Sequence, residues 1–323
     1  MKILVTGGAG YVGSHVCQAL AAKGHEPIVY DNLSRGHRWA VKWGPLEEGD
    51  IADAARVRAI LERYRPTALM HLAAYTSVRE SVENPSLYYS NNVDASATLF
   101  RVVIATNLIP IVFSSTAAIY GPPQWVPISE DHPLEPVNPY GLSKFKAEMM
   151  LADLDKLYGL RSISLRYFNA AGADSGGEIG EEHEPETHLV PLTLTAARDG
   201  TSIKIFGNDY ETPDGTCVRD YIHVMDIADA HIRSVEYLSQ GGASCVCNLA
   251  NTRGYSVKEV IKTAERVSET SINTEIAPRR AGDVPVLIGL ADRADEILGW
   301  EPQRSDLETQ VADAWNWMKT KQQ

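Results

Sequence analysis

KILVTGGAGYVG, residues 2–13, is the stretch whose reading decides the fold. Apolar residues at 3–5 read as a buried strand, glycines follow at 7, 8, 10 and 13, and a helical pattern then runs over 13–23. Gly8, Gly10 and Gly13 satisfy G-x-G-x-x-G, while Gly7, Gly10 and Gly13 satisfy G-x-x-G-x-x-G. Glycine at these places permits a tight turn, lets the backbone approach a pyrophosphate, and lets helix and strand pack closely. The helix N-terminus then offers N–H groups and a positive dipole end to the phosphates. A glycine turn alone is common, and it is the strand before and the helix after that make this one a dinucleotide motif.

Working outward, a second strand over 26–30 ends in Tyr30-Asp31-Asn32, and Asp31 lies 18 residues past Gly13. That is where an acid accepts hydrogen bonds from the adenosine ribose. The alternative for Asp31 is a plain turn residue. A carboxylate there repels a 2′-phosphate, so NAD is favoured over NADP, with Arg35 and Arg38 the nearby groups that argue the other way. Asp50 and Ile51, after a third short strand, suit the adenine edge. Further strands are expected at 68–71, 109–113 and 161–166, with helices at 52–64, 93–106 and 144–157. Such alternation predicts a parallel sheet covered by helices on both faces, with ligands at the carboxyl ends of the strands.

After Asn169 the texture changes. Residues 170–188, AAGADSGGEIGEEHEPETH, are glycine-rich and acidic without a clear period. A loop of that length in a compact domain is usually a functional cover or a mobile segment. A helix (LVPLTLTAARDG), a strand (SIKIFG), shorter mixed elements and a final amphipathic helix over 306–319 follow. The expected fold is α/β: a doubly wound, Rossmann-like parallel sheet over 1–169, and a smaller mixed α/β domain over 170–323 that trades segments with it.

Composition narrows the class. The 323 residues are 44% hydrophobic and 22% charged, with a net charge of −12. An acidic chain of this kind is not a general nucleic-acid binder. No apolar run approaches a bilayer span, and the first strand leaves no room for a signal peptide, so a cytoplasmic protein is expected. Of the four cysteines, Cys245 and Cys247 share one face of a strand, and buried packing is expected for them rather than metal or redox work.

The strand over 109–113 ends in Ser114, Ser115 and Thr116, three alcohols with no acid or base beside them. Further on, NPYGLSKFKAE puts Tyr140 and Lys144 four apart, on one face at the start of a helix. A tyrosine is a poor base at neutral pH unless neighbouring positive charge favours the phenolate. An exposed i, i+4 pair is the alternative for any single Tyr-x-x-x-Lys.

Together these features resemble the extended short-chain dehydrogenase/reductase superfamily, which uses a Tyr-x-x-x-Lys pair with an upstream Ser or Thr. VTGGAGYVGSH, YDNLSRG, EGDI, ESVENPSLYYSNNV, FSSTAAIYG, NPYGLSK, LRYFNAAGA, FGNDYETPDGTCVRDYIHVMD and APRRAGD further resemble, in order and spacing, the UDP-glucose 4-epimerase family. The resemblance covers nearly the whole chain. It implies an isomerase with tightly bound NAD that interconverts UDP-galactose and UDP-glucose through a transient 4-keto sugar, in galactose metabolism, and a homodimer. Tyr140 would take the proton from the sugar 4-hydroxyl with Lys144 beside it. Thr116, where the family more often has Ser, would bond the reacting oxygen or relay the proton.

By the same resemblance the cofactor would lie against Gly7, Gly10, Tyr11, Val12, Gly13, Asp31, Asn32, Ser34, Asp50, Ile51, Leu72, Ala73, Ala74, Asn91, Ser114, Tyr140, Lys144, Tyr167 and Phe168. The UDP-sugar would lie against Thr116, Tyr140, Asn169, His188, Leu189, Phe206, Arg219, Tyr221, Arg280 and Asp283. Two arginines suit a diphosphate, although Arg219–Asp220 also reads as a surface ion pair and Arg279–Arg280 as a solvated turn. Thr76 stands where the family places a lysine near the phosphates, with Arg79 as a substitute, and His188 stands where asparagine is frequent. Leu287, smaller than tyrosine, falls near the position whose size decides whether N-acetylated sugars fit. UDP-N-acetylhexosamine or a UDP-pentose is therefore the alternative substrate.

Positions 117 and 118 are alanines, which withholds the added acid and base that a nucleotide-sugar dehydratase needs. A dinucleotide-sensing regulator would have no need of Tyr140 and Lys144. EEHEPETH carries His183 and His188 among glutamates, but Pro185 breaks a helix and no H-E-x-x-H spacing exists. A solvated acidic loop is expected there, with no metal.

Overall fold

The computed structural model describes residues 1–280 and 282–321. The chain begins with β1 (Lys2–Thr6), α1 (Tyr11–Ala22), β2 (Glu26–Asp31), β3 (Leu46–Glu48), α2 (Ala54–Tyr64) and β4 (Ala68–His71). It continues through α3 (Val78–Glu83), α4 (Pro85–Tyr89), α5 (Ser96–Thr106), β5 (Ile111–Ser114), α6 (Pro139–Tyr158), β6 (Ser162–Tyr167) and β7 (Asn169–Ala171). The second half adds α7 (Leu189–Asp199), β8 (Ser202–Phe206), β9 (Val218–His223), α8 (Val224–Ser239), β10 (Cys245–Leu249) and β11 (Gly254–Ser256). It ends with α9 (Val257–Ser268), β12 (Asn273–Ala277), β13 (Val286–Leu287), α10 (Asp292–Leu298) and α11 (Leu307–Thr320).

Seven strands form one sheet in the order β10-β6-β5-β4-β1-β2-β3, every neighbouring pair parallel. The order turns back on itself at β1, between β2 and β4. In open α/β sheets that crevice is where ligands sit. Side chains alternate between the two faces, as the strand period requires. Ile3, Val5, Met70 and Val112 join Val16, Leu20, Ile227 and Val235 of α1 and α8 on one side. Leu4, Leu69, Ile111 and Phe113 join Val57, Ile60, Leu99, Phe100 and Leu151 of α2, α5 and α6 on the other. Each such side chain contributes about 1.5–3 kcal/mol on full burial. Both α8 and β10 come from the second half of the chain, so the sheet is closed only after residue 249.

The elements start where local chemistry allows. The assigned strand β5 begins after Pro110, which has no N–H to give to a ladder. Helix α6 begins with Pro139 at its first position and with the Asn138 side chain accepting from Gly141 N at 2.8 Å, five residues before the periodic pattern starts at 144. Ahead of α5 the chain makes a π-helical turn over Ser90–Ala95, a widening often found at functional sites.

A third apolar cluster, built from Val190, Leu194, Ile205, Tyr221, Val260, Ala264 and Val311, binds α7, α9 and α11 to β8 and β9. Here β9 pairs with β7, β11 and β13, and β8 pairs with β12. Cys245 Sγ and Cys247 Sγ lie 3.9 Å apart against the apolar face that carries α8, which fits packing; all four thiols are free. Among the described residues no helix is long and apolar enough to cross a membrane.

Candidate active site

The glycine turn joins β1 to α1 at the crevice. Gly7 has φ +74°, and a Cβ there would lie 2.6 Å from Ala73 N; at Gly13 a Cβ would lie 2.1 Å from Gly7 O. Both positions therefore require glycine. Gly10, the residue before α1, differs, since a Cβ would meet only Gly7 O at 3.4 Å. It leaves a shallow cradle over the helix N-terminus, whose first turn holds no acidic side chain. An anionic pyrophosphate fits there.

Asp31 closes the far side of the turn. Its carboxylate accepts from Ala9 N at 3.0 Å and Leu33 N at 2.8 Å, and burial raises its pKa. Each oxygen keeps a lone pair for a ribose hydroxyl. Asn32 Nδ2 donates to Asp50 Oδ2 at 2.9 Å, Tyr30 donates to the Asp50 carbonyl at 2.6 Å, and Ser34 N donates to Asn32. Ile51 is buried beside them. Arg35 is paired with Glu80 and Arg38 with Glu48, so both cations that would favour a 2′-phosphate are neutralised. The residues present thus fit NAD.

Thr76 is exposed, and Arg79 pairs with Glu83 on the solvent side, with no part in this turn. Leu72 N donates to Thr6 O, which sets Ala73 against Gly7. Asn91 donates to Asn92, and it is Asn92 that does the structural work the sequence reading did not foresee. Buried in the π-helical turn, it accepts from Tyr75 N and donates to Tyr75 O and Ser143 Oγ, joining the loop after β4 to α6.

The three alcohols at the end of β5 separate into three tasks. Ser114 Oγ lies 2.7 Å from His231 Nε2, and His231 Nδ1 lies 2.8 Å from the Ile227 carbonyl. Burial lowers His231 to about 4, so it is neutral, its Nδ1–H donates, and the Ser114 hydroxyl is the donor to Nε2. Ser115 donates to Glu148 of α6 at 2.5 Å. Thr116 Oγ1 accepts from Ala118 N at 3.1 Å, which leaves its O–H for the Tyr140 phenol. Burial raises Tyr140 above its ordinary value and the Thr116 hydroxyl draws it down.

Lys144 is buried one turn beyond Tyr140. Its Nζ donates to the Ser114 carbonyl at 2.8 Å and lies 4.8 Å from the centre of the Phe113 ring. Burial lowers Lys144 to about 7, with Glu148 acting to raise it. The ammonium is thus held by strand β5, whereas the sequence had suggested direct support of the phenol. Beneath it, Glu148 receives Arg166 on both oxygens, Arg166 reaches Tyr120, and Tyr120 donates to Asn248. Glu148, Arg166 and His231 carried no sequence signal for these roles, because each partner lies at least 18 residues away.

On the far side of the crevice, Asn169, His188, Leu189 and Tyr221 line a cavity of about 40 Å³ at the start of α7. Asn169 Nδ2 donates to the Asp220 carbonyl at 2.8 Å. Arg219 lies 3.5 Å from Asp283, and the Arg280 guanidinium lies 4.0 Å from the centre of the Phe206 ring. The structure groups Arg219 with Asp283 and Phe206 with Arg280. Tyr167 and Phe168 continue from β6 past the site, with the Phe168 ring against Gly289. Leu287 packs beside Ala117, Tyr120 and Ile128, next to Thr116.

The stretch 181–188 is an irregular loop with Glu184, Pro185, Thr187 and His188 exposed, as expected, but its other residues are partly withdrawn from solvent. The Glu181 side chain is only 6% exposed, and Glu181, His183, Glu186 and His188 converge. Pro185 does prevent a helix, but an irregular turn brings the four side chains together without one.

This geometry has known relatives. Residues 3–250 match the NAD dependent epimerase/dehydratase family. The chain is 52% identical over 325 residues to a UDP-glucose 4-epimerase of Rhizobium meliloti, covering 100% of this chain and 98% of that one. It superimposes with a TM-score of 0.95 and 47% identity on UDP-glucose 4-epimerase from Brucella ovis in complex with NAD, over 97% of each chain. A UDP-glucose 4-epimerase from Stenotrophomonas maltophila, with bound NAD and formylated UDP-arabinopyranose, gives a TM-score of 0.96 at 35% identity, over 100% of this chain and 99% of that one. The chain belongs to the UDP-glucose 4-epimerases, within the NAD dependent epimerase/dehydratase family.

Proposed function

We propose that this protein interconverts UDP-galactose and UDP-glucose, with Tyr140 as the base and acid at C4. The observation that carries the reading is the meeting of Tyr140, Thr116 and Lys144 at the carboxyl end of β5, in the sheet whose strand β1 bears the glycine turn. NAD, held by the glycine turn and Asp31, supplies a hydride acceptor that can return what it takes.

Tyr140 accepts the proton of the C4 hydroxyl as the C–H bond of C4 breaks, and gives it back to the 4-keto oxygen when that bond re-forms on the other face. Thr116, already oriented by Ala118 N, donates to the phenol and so favours the phenolate. The buried Lys144 adds positive potential from its seat on Ser114 O. Inversion at C4 requires the keto sugar to turn while its diphosphate stays held. Asn169, Leu189, Phe206, Arg219, Tyr221, Arg280 and Asp283 are the residues for that anchorage, and the nearness of Asn169, His188, Leu189 and Tyr221 supports it.

Ala117 and Ala118 argue against a dehydratase, and Glu148, the carboxylate below them, is already engaged by Arg166 and Ser115. Leu287 beside Ala117 favours room for an N-acetylated sugar as a second substrate. A homodimer in the cytoplasm completes the reading. Exposed Val78, Val82 and Met149 on α3 and α6, which pack together, offer an apolar face for it. The test is incubation of purified protein with UDP-galactose and no added NAD. UDP-glucose is expected, whereas a 4-keto-6-deoxy product would assign the chain to dehydration.

A further inference from the structure

Glu181, His183, Glu186 and His188 take no part in the chemistry at C4, yet their donor atoms all lie within 4.8 Å of one another. His183 Nδ1 is 3.3 Å from Glu181 Oε1 and 3.6 Å from Glu186 Oε2, and His188 Nδ1 is 3.3 Å from Glu186 Oε1. Neighbouring ligands about 2.0–2.1 Å from a tetrahedral dication lie about 3.3 Å from each other, close to these contacts, with one Glu186 oxygen facing each imidazole. His188 Nδ1 and Glu181 Oε1 lie closer, 2.6 Å apart, so an entering ion would part them by about 0.7 Å.

A second observation points the same way. The Glu181 side chain is 6% exposed, and its Oε1 faces only the two imidazole nitrogens, His188 Nδ1 and His183 Nδ1. Glu186 shows the supporting contacts that metal ligands usually have. Its Oε1 accepts from Thr187 N at 2.7 Å and His188 N at 2.8 Å, fixing the carboxylate with Oε2 turned toward His183.

We infer that Glu181, His183, Glu186 and His188 form a closed structural site for a divalent cation of the zinc type. Two imidazoles and two carboxylates suit such an ion. Four protein ligands leave no open position, which is the pattern of a structural rather than a catalytic metal. The location gives the ion a task. The His183 ring lies edge-on to Tyr11 of the glycine turn, with centroids 6.3 Å apart, and Tyr11 donates to Gly172 O. His188 directly precedes α7 and lines the cavity with Leu189. The ion therefore ties the covering segment to the cofactor turn on one side and to the nucleotide cavity on the other. The competing occupant of the same geometry is a pair of protons, with both imidazoles cationic between the two carboxylates.

The experiment uses tag-free full-length protein with its NAD, stripped with chelator, dialysed into metal-free buffer and titrated with Zn²⁺ against a competing chromophoric chelator. About one equivalent of zinc per chain, with a melting temperature that rises on zinc addition, is expected. The His183→Gln/His188→Asn double variant should bind at least about tenfold more weakly and show no rise. Circular dichroism and retained NAD check that it folds; if it does not, Glu181→Gln alone should show the same weakening. Failure of the wild type to bind stoichiometric zinc, or unchanged binding in a folded variant, would overturn the site and leave a proton-bridged cluster.

Discussion

Lys144 Nζ donates to the carbonyl oxygen of Ser114 at 2.8 Å, which ties α6 to the end of the strand that bears the three alcohols. Lys144 thus fixes where Tyr140 stands as well as supplying charge near it. Replacing it with methionine keeps the apolar stem and removes both. Turnover should fall about 100-fold or more, and the acid limb of kcat against pH should move upward, because the phenolate loses positive potential. An unchanged pH profile would show that the ammonium has no electrostatic part.

Asp31 accepts from Ala9 N and Leu33 N, and in the proposed reading its remaining lone pairs hold the ribose of NAD. Asp31→Ala should lose hydrogen bonds to a charged group, each contributing about 1.5–3 kcal/mol. The dissociation constant for NAD, measured by rebinding to stripped protein, should rise at least about tenfold. An unchanged dissociation constant would remove Asp31 from the ribose.

Glu148 and Arg166 are a buried pair, with side chains only 6% and 4% exposed. Burial alone would lower Arg166, and Glu148 and Tyr120 outweigh it, so the guanidinium stays charged. Glu148→Gln leaves that charge without its partner and should cost about 3–5 kcal/mol in urea unfolding. The double variant Glu148→Gln/Arg166→Met should recover part of the loss.

Asp220 is fully buried and raised to about 7, chiefly by desolvation, although Asn251 N and Gly289 N donate to it. A carboxyl whose folded pKa lies above its ordinary 3.8 binds its proton more tightly in the folded state. Its contribution to stability is full below 3.8 and is lost as pH rises through about 7. The melting temperature of wild type minus that of Asp220→Asn should therefore fall between pH 4 and pH 8. A flat difference would mean that the carboxyl is ionised throughout.

What the chain discloses before folding follows the range of the interaction. The glycine turn and the Tyr140–Lys144 pair stand out because their spacing is local, and Asp31 because it ends the strand after the turn at the spacing a dinucleotide fold sets. The separate tasks of Ser114, Ser115 and Thr116 are not legible, because His231 and Glu148 lie 117 and 33 residues from the alcohols they engage. Which of Asn91 and Asn92 points inward is not legible either, since Asn92 engages Tyr75 and Ser143, 17 and 51 residues away. The convergence of Glu181, His183, Glu186 and His188 escapes a search for helical spacing, since the chain achieves it in an irregular turn after Pro185 breaks the helix.

The central claim is that Tyr140 moves the C4 proton while other residues hold the cofactor. Tyr140→Phe keeps the ring and its packing and removes only the hydroxyl that Thr116 addresses. The decisive measurement is the conversion of UDP-galactose to UDP-glucose by this variant, with the NAD content of the same sample determined in parallel. The account predicts undiminished NAD and turnover reduced about 100-fold or more. Near wild-type turnover with NAD in place would contradict it.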